Sequence, residues 1–240
     1  MLNVFWGGYL FHPAALDYSG DTCRNGCAYC FANINKEFRS GNLKGAINAL
    51  YKKTPITYQD MLIDAGYPIL ISNRSDGFTS QNIHETKALF THLAEKKNSI
   101  FIQTKGSPDI EETLQILGKH RSDVVIYITI TTIDDDISRI VEPNAPSSSE
   151  RFAIAKQLHD DGYFVLIAIN PCAEAWMPRN DLELFVKRLK SMGLKHVCLE
   201  MLDIKRKRLS LISQDRKNRM REAIAELGDK NRGYVRECTQ

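Results

Sequence analysis

The chain has 240 residues and a net charge of +3, with 43% hydrophobic and 25% charged residues. This composition is ordinary for a folded globular protein and excludes the disordered and membrane-spanning classes. No apolar run reaches the roughly 18 residues of a spanning helix, and the N-terminal segment lacks the pattern of a secretory signal, so we expect a cytoplasmic protein with reduced thiols.

The first predicted elements surround a group of cysteines. Residues 1–13 are rich in aromatic side chains and fit either a short strand or a lid over a site. Residues 14–19 predict the first strand. Residues 29–38, 43–53 and 57–65 have apolar positions three and four apart, which is typical of helices.

From residue 67 onward, short apolar runs alternate with segments of helical periodicity. The predicted strands cover residues 67–72, 99–104, 124–132, 163–169 and 195–202, and the predicted helices cover residues 82–97, 108–120, 147–161 and 181–192. Strands that alternate with helices and read as continuous apolar runs indicate a parallel sheet covered on both faces.

With the first strand included, this alternation predicts an α/β fold, namely a partial (β/α)6 barrel of parallel strands. A doubly wound sheet is the alternative, because a sequence alone cannot close a barrel. No linker or repeat divides the chain, so we expect one domain over residues 1–240, with a core over about residues 14–202 and a basic helical segment at residues 203–240.

Three cysteines lie on the loop after the first predicted strand at C-x3-C-x2-C spacing: Cys23, Cys27 and Cys30. Gly26 allows this loop to fold back on itself. Three thiolates so close together suit an iron–sulfur cluster, in which each ligated iron takes one thiolate. A structural zinc site has four protein ligands, and here the fourth would be a distant residue such as His12.

Polar residues also follow nearly all of the remaining predicted strands. Ligands of parallel α/β proteins collect at the carboxyl ends of the strands, so these residues are candidates for a site. They include Ser75, Asp76, Lys105, Thr129, Glu142, Arg151 and Cys172.

The cysteine motif, with Tyr29 directly before its last cysteine, resembles the signature of the radical S-adenosylmethionine (SAM) enzymes. Residues 103–105, residues 128–134 and residues 142–146 followed by Arg151 resemble the branch of that superfamily that contains spore photoproduct lyase. The likeness extends from about residue 14 to residue 200 and implies a partial barrel of radical SAM type.

The resemblance implies that the three cysteines bind three irons of a [4Fe–4S] cluster, and that SAM chelates the fourth iron. An electron from the reduced cluster, supplied by a donor such as flavodoxin or ferredoxin, would cleave SAM. The resulting 5′-deoxyadenosyl radical would abstract a hydrogen atom from the substrate.

The cofactor-binding residues that the resemblance implies are Tyr29, Ser75, Asp76, Lys105, Thr129, Glu142 and Arg151. Ser75 and Asp76 would face the amino group of the methionine part and Lys105 its carboxylate, which are charge-assisted contacts. Thr129 would face the ribose and Tyr29 the adenine. The remaining two residues would complete the cofactor shell.

Each of these assignments has an ordinary structural alternative. Lys105 could be a solvated loop lysine, Ser75 and Asp76 could form a common turn or helix cap, and Arg151 could lie exposed on its helix. Thr129 suits any strand.

Two residues are candidates for the catalytic step itself. Spore photoproduct lyase carries a hydrogen-donating cysteine near its second strand, and residues 72–76 of this chain contain none, which argues against repair of the spore photoproduct. Cys172 could instead supply a thiol hydrogen atom, and Tyr29, or else Tyr127, could relay a radical. The alternative for Cys172 is a small buried hydrophobic residue.

The C-terminal segment bears on the substrate. Residues 203–240 carry a net charge of +5, including the run Lys205-Arg206-Lys207-Arg208. Such a surface favours phosphate, so we expect a substrate such as a modified pyrimidine in DNA or a nucleotide, although a solvated helix face is the alternative. Radical chemistry on a small metabolite or peptide, and a non-catalytic iron–sulfur or zinc module that binds nucleic acid, remain the alternative functions.

Overall fold

The computed structural model describes residues 3–6, 14–16, 23–30, 64–71 and 75–201. Within these residues the chain forms a seven-stranded sheet. In chain order its strands are β1 (Asn3–Trp6), β2 (Ala14–Leu16), β3 (Ile69–Ile71), β4 (Ile100–Thr104), β5 (Val124–Thr129), β6 (Phe164–Cys172) and β7 (His196–Met201).

Every strand pair in this sheet is parallel, and the spatial order is β1-β7-β6-β5-β4-β3-β2. Strands β2 to β7 therefore lie side by side in the order in which they occur along the chain. A doubly wound sheet reverses its strand order at a switch point, and the described strands contain no such reversal. The predicted partial barrel of parallel strands is confirmed.

β1 is an addition to the predicted six-strand unit. It lies at the outer edge of β7, with Asn3 opposite His196 and Trp6 opposite Leu199. The sequence did not decide whether residues 1–13 form a short strand or a lid, and residues 3–6 form a strand. The expectation of a lid concerns residues that are otherwise outside the described part of the chain.

Helices connect the strands from β3 onward. Those within the described residues are α1 (Ile83–Ala94), α2 (Ile110–Gln115), α3 (Asp135–Val141), α4 (Ser148–Asp160) and α5 (Arg179–Ser191). The sequence predicted α1, α2, α4 and α5 to within a few residues at most ends, but it did not predict α3. The helices predicted between residues 29 and 65, and the basic segment at residues 203–240, lie almost entirely outside the described residues.

Along the strands, successive apolar side chains point to opposite faces of the sheet. One face packs against the helices through a continuous core that includes Ile102, Ile126 and Phe152. The opposite face carries a second cluster formed by Leu70, Phe101, Tyr127, Leu166 and Cys198. Because both faces are buried, the strands read as continuous apolar runs. None of the helices in the described ranges is long and apolar enough to cross a membrane.

Candidate functional site

The cysteine loop is held at the carboxyl edge of the sheet by the segment that follows α3. Gly26 has a φ of +64°, a left-handed conformation that glycine adopts without strain. The Ala28 N–H donates to Val141 O at 2.9 Å, and Asn144 Nδ2 donates to Arg24 O at 2.8 Å. A methyl group on Gly26 would approach Asn144 Nδ2 to 3.2 Å, so the two segments are closely packed.

Cys23, Cys27 and Cys30 are all free thiols. Burial raises the pKa of the Cys27 thiol to about 12, although the nearby Lys105 opposes that shift. Burial also raises the pKa of Cys23, and the charge of Cys30 raises the pKa of both Cys23 and Cys27, which shows that the three thiols share one electrostatic environment. Metal binding would therefore displace protons from these thiols.

The donor set fits a cluster better than a single ion. Zinc gathers its ligands around one centre, whereas a [4Fe–4S] cluster takes one thiolate at each of several irons. Three thiols on one loop beside a buried cation match the second arrangement.

Asp76 joins three loops at this edge. Its carboxylate accepts hydrogen bonds from Asn25 Nδ2 at 3.2 Å, the Lys105 N–H at 2.8 Å, Thr104 Oγ1 at 2.7 Å and the Phe78 N–H at 3.0 Å. The hydrogen bond from the Phe78 N–H joins residues two positions apart, so the turn that was the structural alternative for Asp76 is present. The other three show a larger role, because they tie the cysteine loop and the loop after β4 to residue 76.

Ser75 and Thr129 are placed at the same edge. Ser75 Oγ accepts a hydrogen bond from Asn82 Nδ2 at 2.8 Å and remains partly exposed. Thr129 ends β5, is buried, and accepts a hydrogen bond on its carbonyl from Arg151 Nη1 at 3.1 Å. Contact of these residues and of Asp76 with a cofactor stays a prediction.

Glu142 is the centre of a buried ionic network. Its side chain is 0% exposed, and its Oε1 lies 3.2 Å from Lys105 Nζ while its Oε2 lies 2.5 Å from Arg151 Nη1. The Tyr29 hydroxyl donates a hydrogen bond to Oε1. One carboxylate thus connects the cysteine loop, the loop after β4 and helix α4.

The start of α4 explains the position of Arg151. The Ser147 side chain accepts from the Glu150 N–H at 3.3 Å and the Glu150 carboxylate accepts from the Ser147 N–H at 2.6 Å, which is a capping box. Arg151 follows on the first turn, with its guanidinium 0% exposed and donating to Pro146 O at 2.6 Å. The alternative of an exposed helix arginine is therefore wrong.

The members of this network keep their usual protonation states despite their burial. Burial raises the pKa of Glu142, but Lys105 and Arg151 outweigh that effect and hold its pKa below the usual range. Burial lowers the pKa of Lys105, but Cys27 and Glu142 outweigh it and raise the pKa, so the ammonium stays charged. Burial raises the pKa of Tyr29 well above its usual value, so the phenol stays neutral. Together with Asp76, whose charge also raises the pKa of Lys105, the site holds two cations and two carboxylates beside the cysteines.

The alternative that Lys105 is a solvated loop lysine is wrong, because its side chain is only 12% exposed. Its ammonium lies 5.5 Å from the centre of the Tyr29 ring, within the range of a cation–π contact. Glu142 and Arg151 have partners inside the protein, so we infer that they position Tyr29 and Lys105. Direct contact of Glu142 and Arg151 with a cofactor stays a prediction.

Cys172 ends β6, two strands away from Thr104 at the end of β4. It is buried, and burial followed by the charge of Glu174 raises the pKa of its thiol. A protonated thiol is the form that can give up a hydrogen atom. Its role in catalysis stays a prediction.

The sequence analysis overlooked Trp176. This residue lies in the loop after β6 and is 2% exposed, and its ring stacks on Tyr29 with a centroid distance of 5.9 Å and an interplanar angle of 30°. An aromatic residue four positions after a strand-end cysteine was the available signal. Asn25, which bonds to Asp76, was given no role, and Asn144 was considered only as part of residues 142–146.

No family model matches the chain. The uncharacterized protein ORF301 of Acidianus two-tailed virus is 23% identical over 194 residues, which cover 75% of this chain and 64% of the viral protein.

Solved structures resemble the chain over most of its length. SuiB of Streptococcus suis bound to S-adenosylmethionine has a TM-score of 0.59 and 15% identity, covering 92% of this chain and 48% of SuiB. SuiB bound to precursor peptide SuiA has a TM-score of 0.56 and 14% identity, covering 92% of this chain and 47% of SuiB.

Spore photoproduct lyase, complexed with dinucleoside spore photoproduct, has a TM-score of 0.55 and 14% identity, covering 82% of this chain and 56% of the lyase. The chain therefore spans about half the length of both proteins. The likeness shows that the chain has the partial-barrel fold of radical SAM type, as the sequence predicted.

Proposed function

We propose that this protein is a radical SAM enzyme. Cys23, Cys27 and Cys30 would bind three irons of a [4Fe–4S] cluster, and SAM would bind the fourth iron. The observation that carries the proposal is the network in which Tyr29, from the cysteine loop, and Lys105 meet on buried Glu142. This network lies at the carboxyl edge of a sheet whose fold is shared with SAM-bound SuiB.

A cluster held by Cys23, Cys27 and Cys30, together with bound SAM, would supply the reductive cleavage of SAM and the removal of a hydrogen atom from the substrate. Flavodoxin or ferredoxin is the class of protein that would supply the electron.

The residues of this chain have complementary tasks in the proposed reaction. The positive charges of Lys105 and Arg151 would stabilise the anionic cluster and the carboxylate of SAM. Glu142 would keep the Tyr29 hydroxyl and the Lys105 ammonium in place. The bonds of Asp76 to Asn25 and the Lys105 N–H would fix the cysteine loop relative to β4.

For the substrate, we propose a modified pyrimidine base in DNA or a nucleotide. Two observations support this class. Spore photoproduct lyase, which shares the fold, has been solved with a dinucleoside photoproduct. Residues 203–240 carry a net charge of +5, which suits a phosphate backbone.

A peptide substrate is the second candidate. It is favoured by the structure of SuiB bound to precursor peptide SuiA, which shares the fold over 92% of this chain. Binding of short DNA at low salt separates the two classes, since neutralising residues 205–208 should weaken DNA binding but leave peptide binding unchanged.

The experiment that tests the enzyme class is anaerobic reconstitution of the full chain with iron and sulfide. We expect about four irons per chain, as a [4Fe–4S] cluster requires, and formation of 5′-deoxyadenosine when dithionite and SAM are added. Cys30→Ala should lose the iron, whereas Cys198→Ala, at a buried thiol in the cluster on the face of the sheet opposite the helices, should keep it. A protein that binds zinc but no iron, or that never cleaves SAM, would contradict the proposal.

A further inference from the structure

Asn170 and Glu200 form a hydrogen-bonded pair that none of the roles assigned above includes. Asn170 Nδ2 donates to Glu200 Oε2 at 2.7 Å. The two residues lie near the carboxyl ends of β6 and β7, which are adjacent parallel strands. Among the described residues, no lysine or arginine forms an ion pair with Glu200. The pair therefore carries a negative charge that this part of the protein does not neutralise.

The pair faces the interior of the partial barrel. Cys198 belongs to the apolar cluster on the face of the sheet opposite the helices, and residues two positions apart on a strand share a face, so Glu200 points to the same side. The side chain of Asn170 contacts that of Glu200 and thus lies on this face as well. In a barrel of parallel strands this face is the interior, and ligands bind where the interior opens at the carboxyl ends of the strands.

An irregularity in β6 accompanies the contact between the two side chains. Between Ile169 and Cys172, β6 contains one residue more than the paired part of β7, which is the mark of a β-bulge. Bulges are frequent at the rims of barrels and beside active sites, where they redirect a side chain. Asn170 lies within this interval, so the bulge accounts for its orientation toward Glu200.

The interior is filled below the pair and open at its level. Leu166 and Cys198 are 1% and 6% exposed, and they close the interior together with apolar residues of β3, β4 and β5. Further along the same two strands, Asn170 is half-buried and Glu200 is exposed. A group that enters from the carboxyl edge would therefore meet the pair above an apolar floor.

The atoms of the pair define the chemistry of the group that it can bind. The hydrogen bond uses one N–H of Asn170 and one oxygen of Glu200, which leaves Asn170 Oδ1 and Glu200 Oε1 as acceptors. A carboxylate with a neighbouring amide oxygen suits an ammonium group, which donates charge-assisted hydrogen bonds, and it repels a phosphate. Lys105 and Arg151 already pair with Glu142, so the cation for this carboxylate would come from a bound molecule.

We propose that Asn170 and Glu200 bind a primary ammonium group of the substrate, namely a lysine side chain of a peptide. Glu200 supplies the counter-charge, and Asn170 orients the carboxylate and accepts a second hydrogen bond. The pair thereby selects which part of the substrate enters the interior. This inference rests on the proposed function for the radical reaction, and of the two substrate classes it favours the peptide, because a nucleic acid carries no such cation.

The test is a binding measurement that needs no turnover. Reconstituted full-length protein is titrated at low salt, by ligand-observed NMR, with a blocked glycine–lysine–glycine tripeptide. The second probe has norleucine in place of lysine, which keeps the aliphatic chain but lacks the ammonium group. Glu200→Gln removes the charge at nearly constant size, and Asn170→Ala removes the amide. Glu183→Gln is the matched control, because it removes an exposed carboxylate from α5, outside the interior.

We expect wild type to bind the lysine peptide more tightly than the norleucine peptide. Glu200→Gln should weaken binding of the lysine peptide about 10-fold, the effect of losing one charge-assisted hydrogen bond, and Asn170→Ala should weaken it about 3-fold. Binding of the norleucine peptide should not change in either variant, and Glu183→Gln should bind both peptides as wild type does. Asn170→Ala carries the test if Glu200→Gln fails to fold by circular dichroism.

The inference is overturned if wild type binds both peptides equally or binds neither. It is also overturned if both site variants bind the lysine peptide as tightly as wild type, or if the control loses as much affinity as they do. Binding of SAM and of short single-stranded DNA is measured on the same samples. If Glu200→Gln weakens either of these as much as it weakens the peptide, the pair does not select an ammonium group and the inference fails.

Failure of the proposed function is recognised separately. Formation of 5′-deoxyadenosine from SAM is measured with the reconstituted wild-type protein. Selective binding of the lysine peptide without SAM cleavage would refute the proposed function and leave the role of Asn170 and Glu200 intact. SAM cleavage without selective binding of the lysine peptide would refute only the inference about this pair.

Discussion

Replacement of Glu142 by glutamine should strongly destabilise the protein. The variant keeps the size of the side chain and removes its charge, so Lys105 and Arg151 lose the carboxylate that lies 3.2 and 2.5 Å from their nitrogens. Loss of one partner from a buried ion pair costs about 3–5 kcal/mol, because the remaining charge stays buried. The melting temperature should therefore fall by about 6–20 °C, from the usual 2–4 °C per kcal/mol for chains of this length.

Thermal and urea denaturation of the metal-free protein measure this effect. The control is Glu183→Gln, which removes an exposed carboxylate 3.8 Å from Arg179, and it should cost less than about 1 kcal/mol. Adding Lys105→Met to Glu142→Gln should recover part of the loss, because it removes a cation that has no counter-ion. The reasoning fails if Glu142→Gln is no more destabilising than the control, or if the double variant loses the sum of both single effects.

The same carboxylate gives a pH signature. Lys105 and Arg151 hold the pKa of Glu142 below its ordinary value of 4.5 despite its burial. A lowered acid pKa means that the stabilising charge is complete above about pH 4.5 and is lost as the pH falls through the lower folded value. The stability difference between wild type and Glu142→Gln should therefore be constant near neutrality and shrink below pH 4.5. A difference that persists undiminished into strong acid would contradict this assignment.

Three further predictions concern other parts of the molecule. Gly26→Ala should reduce iron incorporation, because Gly26 has a left-handed φ of +64° and Asn144 lies close to the position of the added methyl group. The control Gly118→Ala has a φ of +55° and no atom within 4 Å of the added methyl group, so it should lose about 1–2 kcal/mol of stability but keep its iron. Equal iron contents in the two variants would refute this prediction. Cys172→Ala should abolish product formation while SAM is still cleaved, and Cys198→Ala should leave both reactions unchanged; normal turnover by Cys172→Ala would end its role as hydrogen donor. Burial and the charge of His159 lower the pKa of His196. The stability that depends on the neutral His196 ring is therefore present above about pH 6.5 and is lost as the pH falls. The free energy of unfolding of His196→Phe should vary less between pH 7 and 5 than that of wild type.

The strands were the most predictable part of the fold. The predicted strands at residues 99–104 and 124–132 match β4 and β5 closely, because a strand buried on both faces has an apolar run with sharp limits. Helix α3 was not predicted, because its seven residues begin among acidic side chains that read as a strand-end loop. β1 stayed ambiguous, because its pairing with β7 depends on residues nearly two hundred positions away.

The site was predictable as a set of residue types but not as a network. The cysteine spacing and Tyr29 carry a local signal, since all four residues lie on one short loop. That Glu142 pairs with both Lys105 and Arg151 follows from how three separate segments pack, which no local pattern encodes. Trp176 was missed for the same reason, because burial of a loop residue is decided by its tertiary neighbours.

The position of β1 at the edge of β7 affects how the sheet assembles during synthesis. Strands β2 to β7 pair with their neighbours along the chain, so each can join the growing sheet soon after it emerges. β1 is made before all of them, yet its partner is the last strand of the sheet to appear. Closing so long a loop is entropically unfavourable and slows folding. The docking of β1 therefore reports completion of the fold, and slow protection of its amides from hydrogen exchange would mark the final step.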